Sequence, residues 1–198
     1  MTIISRRDPI VVAPPGSGRT YSIVPLTFRA RAAMKADLVR ETGQPVFREQ
    51  LQTARRSALQ EIGPTNLADL MALLDEIDAL PAGTYPDPAQ AAQLSVIDSA
   101  AMKVPAYADL IGRNYHTVYV TPFIAARHGL RGWEGPDLPV FRREQGLVPE
   151  DLLEAVPQPE LEVVGWAVWN AAHVTAVQEK NSVAPSPLPG IQTPTQAP

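Results

Sequence analysis

After Thr27 the apolar residues of this chain recur every three or four positions, and that period constrains the fold more than any other feature. Before Thr27 the pattern differs. Ile10 to Ala13 and Thr20 to Leu26 are β-branched or apolar runs, separated by Pro14-Pro15-Gly16-Ser17-Gly18-Arg19. Glycines supply the positive φ that a tight reversal requires, so this segment predicts a short β-hairpin.

The helical part is punctuated by caps and prolines. Thr27 caps a first helix carrying Phe28, Ala32, Met34 and Leu38 and ending near Gly43. A second runs from about Val46 to Ile62, with Phe47, Leu51, Ala54, Ala58 and Ile62 at helical spacing. A third follows Pro64, with Asn66 and Asp69 as a cap pair and Leu67, Leu70, Met71, Leu74 and Ile77 as its stripe. Pro81 to Pro88 is a turn-rich connector. Asp87-Pro88 then reads as an N-cap and first helical position, opening a stretch to about Lys103.

Another helix starts near Pro105, with Leu110, Ile111, Tyr115 and Val118 on one face, and Pro122 is expected to bend or end it. Gly129 to Gly146 reads as an irregular loop carrying Trp133 and Phe141. Pro149 opens a short helix and Pro159 a long one reaching about Lys180. The residues from Asn181 to Pro198 hold five prolines and no aromatic side chain, a composition that buries too little surface to fold. The expected fold is mainly α: a hairpin over 1–26 packed on a single multi-helix domain over 27–180, then a disordered proline-rich tail over 181–198.

Composition narrows the functional classes. Apolar residues make up 45% of the chain, an ordinary globular level, and aromatic residues only 6%. The net charge of −4 and the pI near 5.4 argue against nucleic acid as a main partner, because phosphate neutralisation requires a basic face. No cysteine is present, which excludes disulfides, thiolate catalysis and zinc–sulfur sites and fits a reducing compartment. Met1 to Asp8 has no signal-peptide core. The longest weakly polar run, Val163 to Val177, is interrupted by Asn170 and His173 and is too short to span a bilayer. A soluble cytoplasmic protein without membrane contact is expected.

One segment imitates an ATPase. Ala13 to Thr20 resembles a phosphate-binding loop, and Leu73-Leu74-Asp75-Glu76-Ile77-Asp78 resembles the acidic magnesium-binding strand that would follow. The context opposes that reading. A phosphate loop must run straight into a helix whose free amides hold the anion, yet Tyr21-Ser22-Ile23-Val24-Pro25 alternates like a strand. The lysine position holds Arg19, the first glycine position holds Ala13, and the acidic segment has helical spacing. A hairpin turn and an amphipathic helix explain both segments better.

Other chemistry is sparse. His116, His128 and His173 show no metal-ligand spacing, so no metal or cofactor is expected. His128 follows Arg127 near an expected helix end, where a cation suits the dipole. Ser17 lacks the strand–turn–helix setting of a hydrolase nucleophile, and the carboxylates are scattered. No catalytic residue emerges. The last helix carries two apolar faces: Leu161, Val164, Val168 and Ala171 on one, Trp166, Trp169, His173 and Val177 on the other. Such a helix is either central in the core or offers one face to a partner, and tryptophan is enriched at interface hot spots. Trp133, Phe141, Trp166, Trp169 and Val177 are the candidate partner-binding residues.

Three features in order resemble the tail assembly chaperones of long-tailed phages and prophages. They are the short hairpin leading into the strand-to-helix entry Ile23-Val24-Pro25-Leu26-Thr27-Phe28-Arg29-Ala30-Arg31, the run Leu130-Arg131-Gly132-Trp133-Glu134-Gly135 with Leu138-Pro139-Val140-Phe141 and the Val148 to Leu153 helix, and the ending Gln178-Glu179-Lys180-Asn181-Ser182. The resemblance spans roughly Tyr21 to Ser182, except that Ala82 to Val104 matches nothing in it. It implies a non-enzymatic role: such chaperones bind the tape measure protein and tail tube subunits in the host cytoplasm, and are absent from the finished virion. Self-association stays open. Two other classes compete, a structural minor tail or connector protein of the virion and a nucleotide-binding protein built on Gly16 to Thr20.

Overall fold

A computed structural model of the chain describes residues 8–81 and 84–173. It is mainly helical, with a small N-terminal β-hairpin, as the change of period predicts. Strands β1 (Ile10–Val12) and β2 (Thr20–Ile23) pair antiparallel, with Val12 opposite Tyr21. Gly16 and Gly18 take positive φ in the turn, and the Ser17 hydroxyl donates to the Pro14 carbonyl at 3.0 Å.

Helices α1 (Phe28–Thr42), α2 (Arg48–Ile62), α3 (Leu67–Asp78) and α4 (Pro88–Ala101) follow. Their starts obey the capping logic in part. The Thr27 side chain accepts from the Ala30 amide at 3.2 Å, and Asp87 accepts from the Gln90 amide at 2.8 Å. Asn66, by contrast, makes no side-chain capping bond.

One sequence expectation is narrowed downstream and one is corrected. Of the bend or end expected at Pro122, the end is excluded, because helix α5 (Pro105–Gly129) continues through it. The expected irregular loop from Gly129 instead begins with strand β3 (Leu130–Glu134), which pairs antiparallel with β2 and completes a three-stranded sheet of order β1-β2-β3. Tyr21 lies opposite Trp133, and the register shifts between Ser22 and Ile23. A short α6 (Glu150–Glu154) and α7 (Gln158–Ala172) close the described chain. Beyond α7, the helical continuation expected to Lys180 and the tail expected over 181–198 fall outside the described residues.

The buried side chains of the described residues form three clusters, one large one in a first lobe and two small ones in a second, with α5 running between the lobes. In the first lobe, Tyr21, Ile23, Met34, Leu130, Leu153, Val164 and Val168 bring together β2, β3, α1, α6, α7 and the C-terminal half of α5. In the second, Ala58, Ala101 and Tyr107 pack α2 and α4 on the start of α5, while Leu59, Leu74 and Ile97 join α2, α3 and α4.

Where α5 meets α7 the backbones come unusually close. A Cβ on Gly165 would fall 2.0 Å from the Pro122 carbonyl oxygen, and one on Gly129 would fall 2.2 Å from Val168 Cγ1. Glycine at these two positions is what lets the helices touch. That contact accounts for the buried Pro122: a proline inside a helix costs about 3 kcal/mol, and close packing against α7 offsets it.

Candidate functional site

The first lobe carries a buried polar centre at the turn that imitates a phosphate loop. Arg19 Nη1 donates to Glu160 Oε1 at 2.7 Å, and the Tyr21 hydroxyl donates to Glu160 Oε2 at 2.6 Å. Arg19 Nε also donates to the Pro136 carbonyl at 2.9 Å. Glu160 lies in the first turn of α7, where the helix dipole favours a carboxylate. Burial and then the bond to Glu160 push the Tyr21 phenol above its ordinary range, so it stays a hydrogen-bond donor. Thr20–Ile23 is strand, so the turn runs into extended backbone rather than directly into a helix. Arg19, the residue at the phosphate-contacting position, is committed to Glu160 within the fold.

The acidic segment is likewise engaged. Asp75 and Asp78 lie on helix α3, where Arg56 reaches them at 2.6 and 2.5 Å and Gln52 donates to Asp78 at 2.6 Å. Among the described residues, no group of three or more metal-ligating side chains comes together. No described helix is long and apolar enough to cross a membrane.

His128 lies in the last turn of α5, as expected, and is buried there. Its Nε2 lies 2.9 Å from Asp37 Oδ2 and ties α5 to α1. Burial pulls the Asp37 carboxyl upward, but hydrogen bonds from His128 and Arg40 outweigh it and hold the group below the usual carboxylate range. The carbonyls at the end of α5 are taken by arginines instead. Arg131 and Arg143 both donate to the His128 and Leu130 carbonyl oxygens.

The predicted aromatic residues fall into two pairs. Trp133 and Phe141 meet edge-to-face at 4.9 Å, and the Trp133 indole donates to the Pro139 carbonyl at 2.7 Å. Both rings pack against the first core, pinning the 134–141 loop onto β3. On α7, Trp166 and Trp169 meet edge-to-face at 6.4 Å. Trp169 packs on the core and lies against His173, with the ring centroids 4.5 Å apart. Trp166 is half-buried beside it. Among the described residues no ring contact joins the two pairs. Val177 is outside the described residues.

A groove that the sequence reading passed over lies between α5 and α7. Tyr115, Val118, Tyr119, Pro122 and Phe123 form one wall, and Gln158, Leu161 and Glu162 form the other, around a volume of about 410 Å³. Tyr115, Val118 and Tyr119 are 60%, 45% and 69% exposed. Tyr115 and Val118 were expected on one face with Leu110 and Ile111. Ile111 does pack in the second lobe, but the two later residues leave it for solvent. Three apolar side chains at i, i+3 and i+4 around a half-open groove make a surface that a partner helix or chain can fill.

Fold and surface together define a mainly helical, two-lobed protein in which Arg19, Arg55 and Arg56 are engaged by carboxylates and in which the α5–α7 groove has an apolar wall on α5 facing Gln158, Leu161 and Glu162 on α7. No protein-family model, no curated protein and no solved structure matches this chain.

Proposed function

We propose that this chain is a non-enzymatic tail assembly chaperone of a long-tailed phage or prophage. It binds the tape measure protein and tail tube subunits in the host cytoplasm while the tail forms. The particular family rests on the ordered sequence features from Ile23 to Ser182. The observation that carries the protein-binding reading is the exposed Tyr115–Val118–Tyr119 stripe beside the α5–α7 groove. Aromatic side chains at the edge of an apolar groove are the usual anchors of protein interfaces, and an assembling helical partner exposes apolar stripes of the matching period. The engagement of Arg19 by Glu160 supports the non-enzymatic part, since a phosphate would have to break a buried ion pair to recruit it.

Co-expression with the tape measure protein encoded beside it tests the reading. The expected result is co-purification and a rise in the partner's solubility, both reduced at least tenfold by Tyr119→Glu. A partner that stays insoluble and uncaptured would end the proposal. Mass spectrometry of purified particles distinguishes a chaperone, which is missing from them, from a structural tail component. A nucleotide titration sensitive to Arg19→Ala would instead revive the phosphate-loop reading.

A further inference from the structure

The second lobe has a groove of its own, between α2, α3 and α4. Its volume is about 440 Å³, and Leu59, Ile62, Leu70, Leu73, Val96 and Ile97 supply its apolar lining. Single exposed apolar side chains are ordinary, but here they share one concavity. Val96 is the clearest case at 70% exposed.

Helix α4 is the unusual wall. Its exposed positions include Ala89, Ala92, Gln93, Ser95, Val96 and Ser99, and none is charged. The one ionisable side chain of the helix, Asp98, is held by Arg55 and Tyr107. A helix face meant for water normally carries free charges, which keep it solvated and discourage association. The outer face of α4 lacks them.

The opposite wall supplies charge of one sign. Asp69 lines the groove on α3, and Glu76 is exposed seven residues later, two turns along the same face. Glu61 is exposed beside Ile62. The cations of α2 that could neutralise this side are already engaged, Arg55 with Asp98 and Arg56 with Asp75 and Asp78. Lys103 lies past the end of α4.

We infer that this groove is a docking site for an amphipathic helix of a protein partner, one whose apolar stripe is flanked by lysine or arginine. The stripe seats on Leu70, Leu73 and Val96, and the basic flank faces Asp69 and Glu76. An apolar groove recognises a helix through anchors at i, i+3 or i+4, and i+7, while the acidic rim selects the flank and speeds encounter. The inference does not depend on the tail-chaperone reading. The groove is in the other lobe from the Tyr115–Tyr119 surface, and α4 falls within the segment that carries none of the family resemblance.

The test uses the full chain and a panel of fluorescein-labelled helical peptides with leucines at staggered i, i+3/i+4, i+7 positions. One set carries lysine flanks and the other glutamate flanks, and binding is read by fluorescence anisotropy. The lysine set is expected to bind at least tenfold more tightly than the glutamate set, and less tightly as salt is raised. Val96→Glu, a change at an exposed position, should weaken binding tenfold or more while leaving the far-ultraviolet circular dichroism unchanged. Asp69→Lys should narrow or invert the preference between sets, and Tyr119→Glu should leave binding as it was. The inference is overturned if no peptide in the panel binds, if binding ignores Val96→Glu, or if the flank charge makes no difference. It is equally overturned if sedimentation shows the groove closed in a dimer of this chain that Val96→Glu dissociates.

Discussion

Each lobe is built around the same device, an arginine and a tyrosine sharing one carboxylate, but the two copies are set differently in chain and solvent. In the first lobe Arg19 and Tyr21 reach Glu160 across 141 and 139 residues of sequence. In the second, Arg55 and Tyr107 reach Asp98 across 43 and 9. The Glu160 side chain is 11% exposed and that of Asp98 35%. The first device therefore closes the lobe, holding the hairpin turn onto α7 from opposite ends of the described chain. The second joins neighbouring helices that already meet through local packing. Long-range closure in a dry setting is worth more and costs more to break.

The largest expected effect lies at the helix crossing that the first lobe depends on. Gly165→Val would drive a side chain into the Pro122 backbone, which has no room to give, and should destabilise by about 4 kcal/mol. All three tryptophans, Trp133, Trp166 and Trp169, belong to this lobe, whereas α2, α3 and α4 contain none. Urea unfolding followed by tryptophan fluorescence should therefore shift further than unfolding followed by far-ultraviolet circular dichroism. Coincident shifts would show that the two lobes melt as one and would remove the distinction drawn between them.

Removing one partner from each polar centre sharpens the same contrast. Glu160→Gln leaves Arg19 facing a neutral side chain in a buried site and should cost about 3 kcal/mol. Asp98→Asn, where the carboxylate is 35% exposed although Arg55 is only 12% exposed, should cost less, about 2 kcal/mol. Equal losses by chemical denaturation would mean that burial does not rank the two centres.

How far the sequence revealed this arrangement differs between the lobes for physical reasons. The hairpin and the starts of α1 and α4 were legible, because Thr27, Asp87 and the turn glycines act within a few residues of themselves. Strand β3 was not. Leu130 to Glu134 is short, contains Gly132, and becomes a strand because β2, more than a hundred residues away, offers it an edge. Pro122 carried a true local signal for a bend or an end, but the helix does not end there, and the close meeting with Gly165 is a long-range contact that no local signal announces. Of the candidate binding residues, Trp133 and Phe141 form a pair packed on the core, whereas Tyr119, unselected, stands in water beside a groove. Their chemistry was readable and their direction was not, because helical spacing alone does not say where one core ends along a helix as long as α5.

The two tyrosines give a pH test of both centres together. Burial and then the bond to Asp98 push Tyr107 up to about 12, and burial with the bond to Glu160 raises Tyr21 as well. Each phenol thus keeps its proton in the folded state after the unfolded chain has lost it. The stabilisation is fully present below about pH 10, the ordinary tyrosine value, and is lost as pH climbs through that value toward 12. Tyr107→Phe and Tyr21→Phe should each flatten this alkaline decline. At neutral pH each should also remove one buried hydrogen bond, worth about 1 kcal/mol. An unchanged slope in either variant would show that its phenol is not protected by its carboxylate.

The smallest stability effects belong to the two open grooves, and there the prediction separates folding from binding. Tyr119→Ala in the first lobe and Val96→Ser in the second remove exposed side chains that close no core. Each should move the thermal midpoint by no more than about 0.5 kcal/mol equivalent. If either change destabilised the protein by several times that amount, the side chain would be supporting the fold, and its exposure would cease to argue for a partner. If both are neutral, each lobe carries an apolar groove that stability does not require. Folding alone then accounts for neither groove, whereas a protein that holds two chains, or two segments of one chain, uses one groove for each.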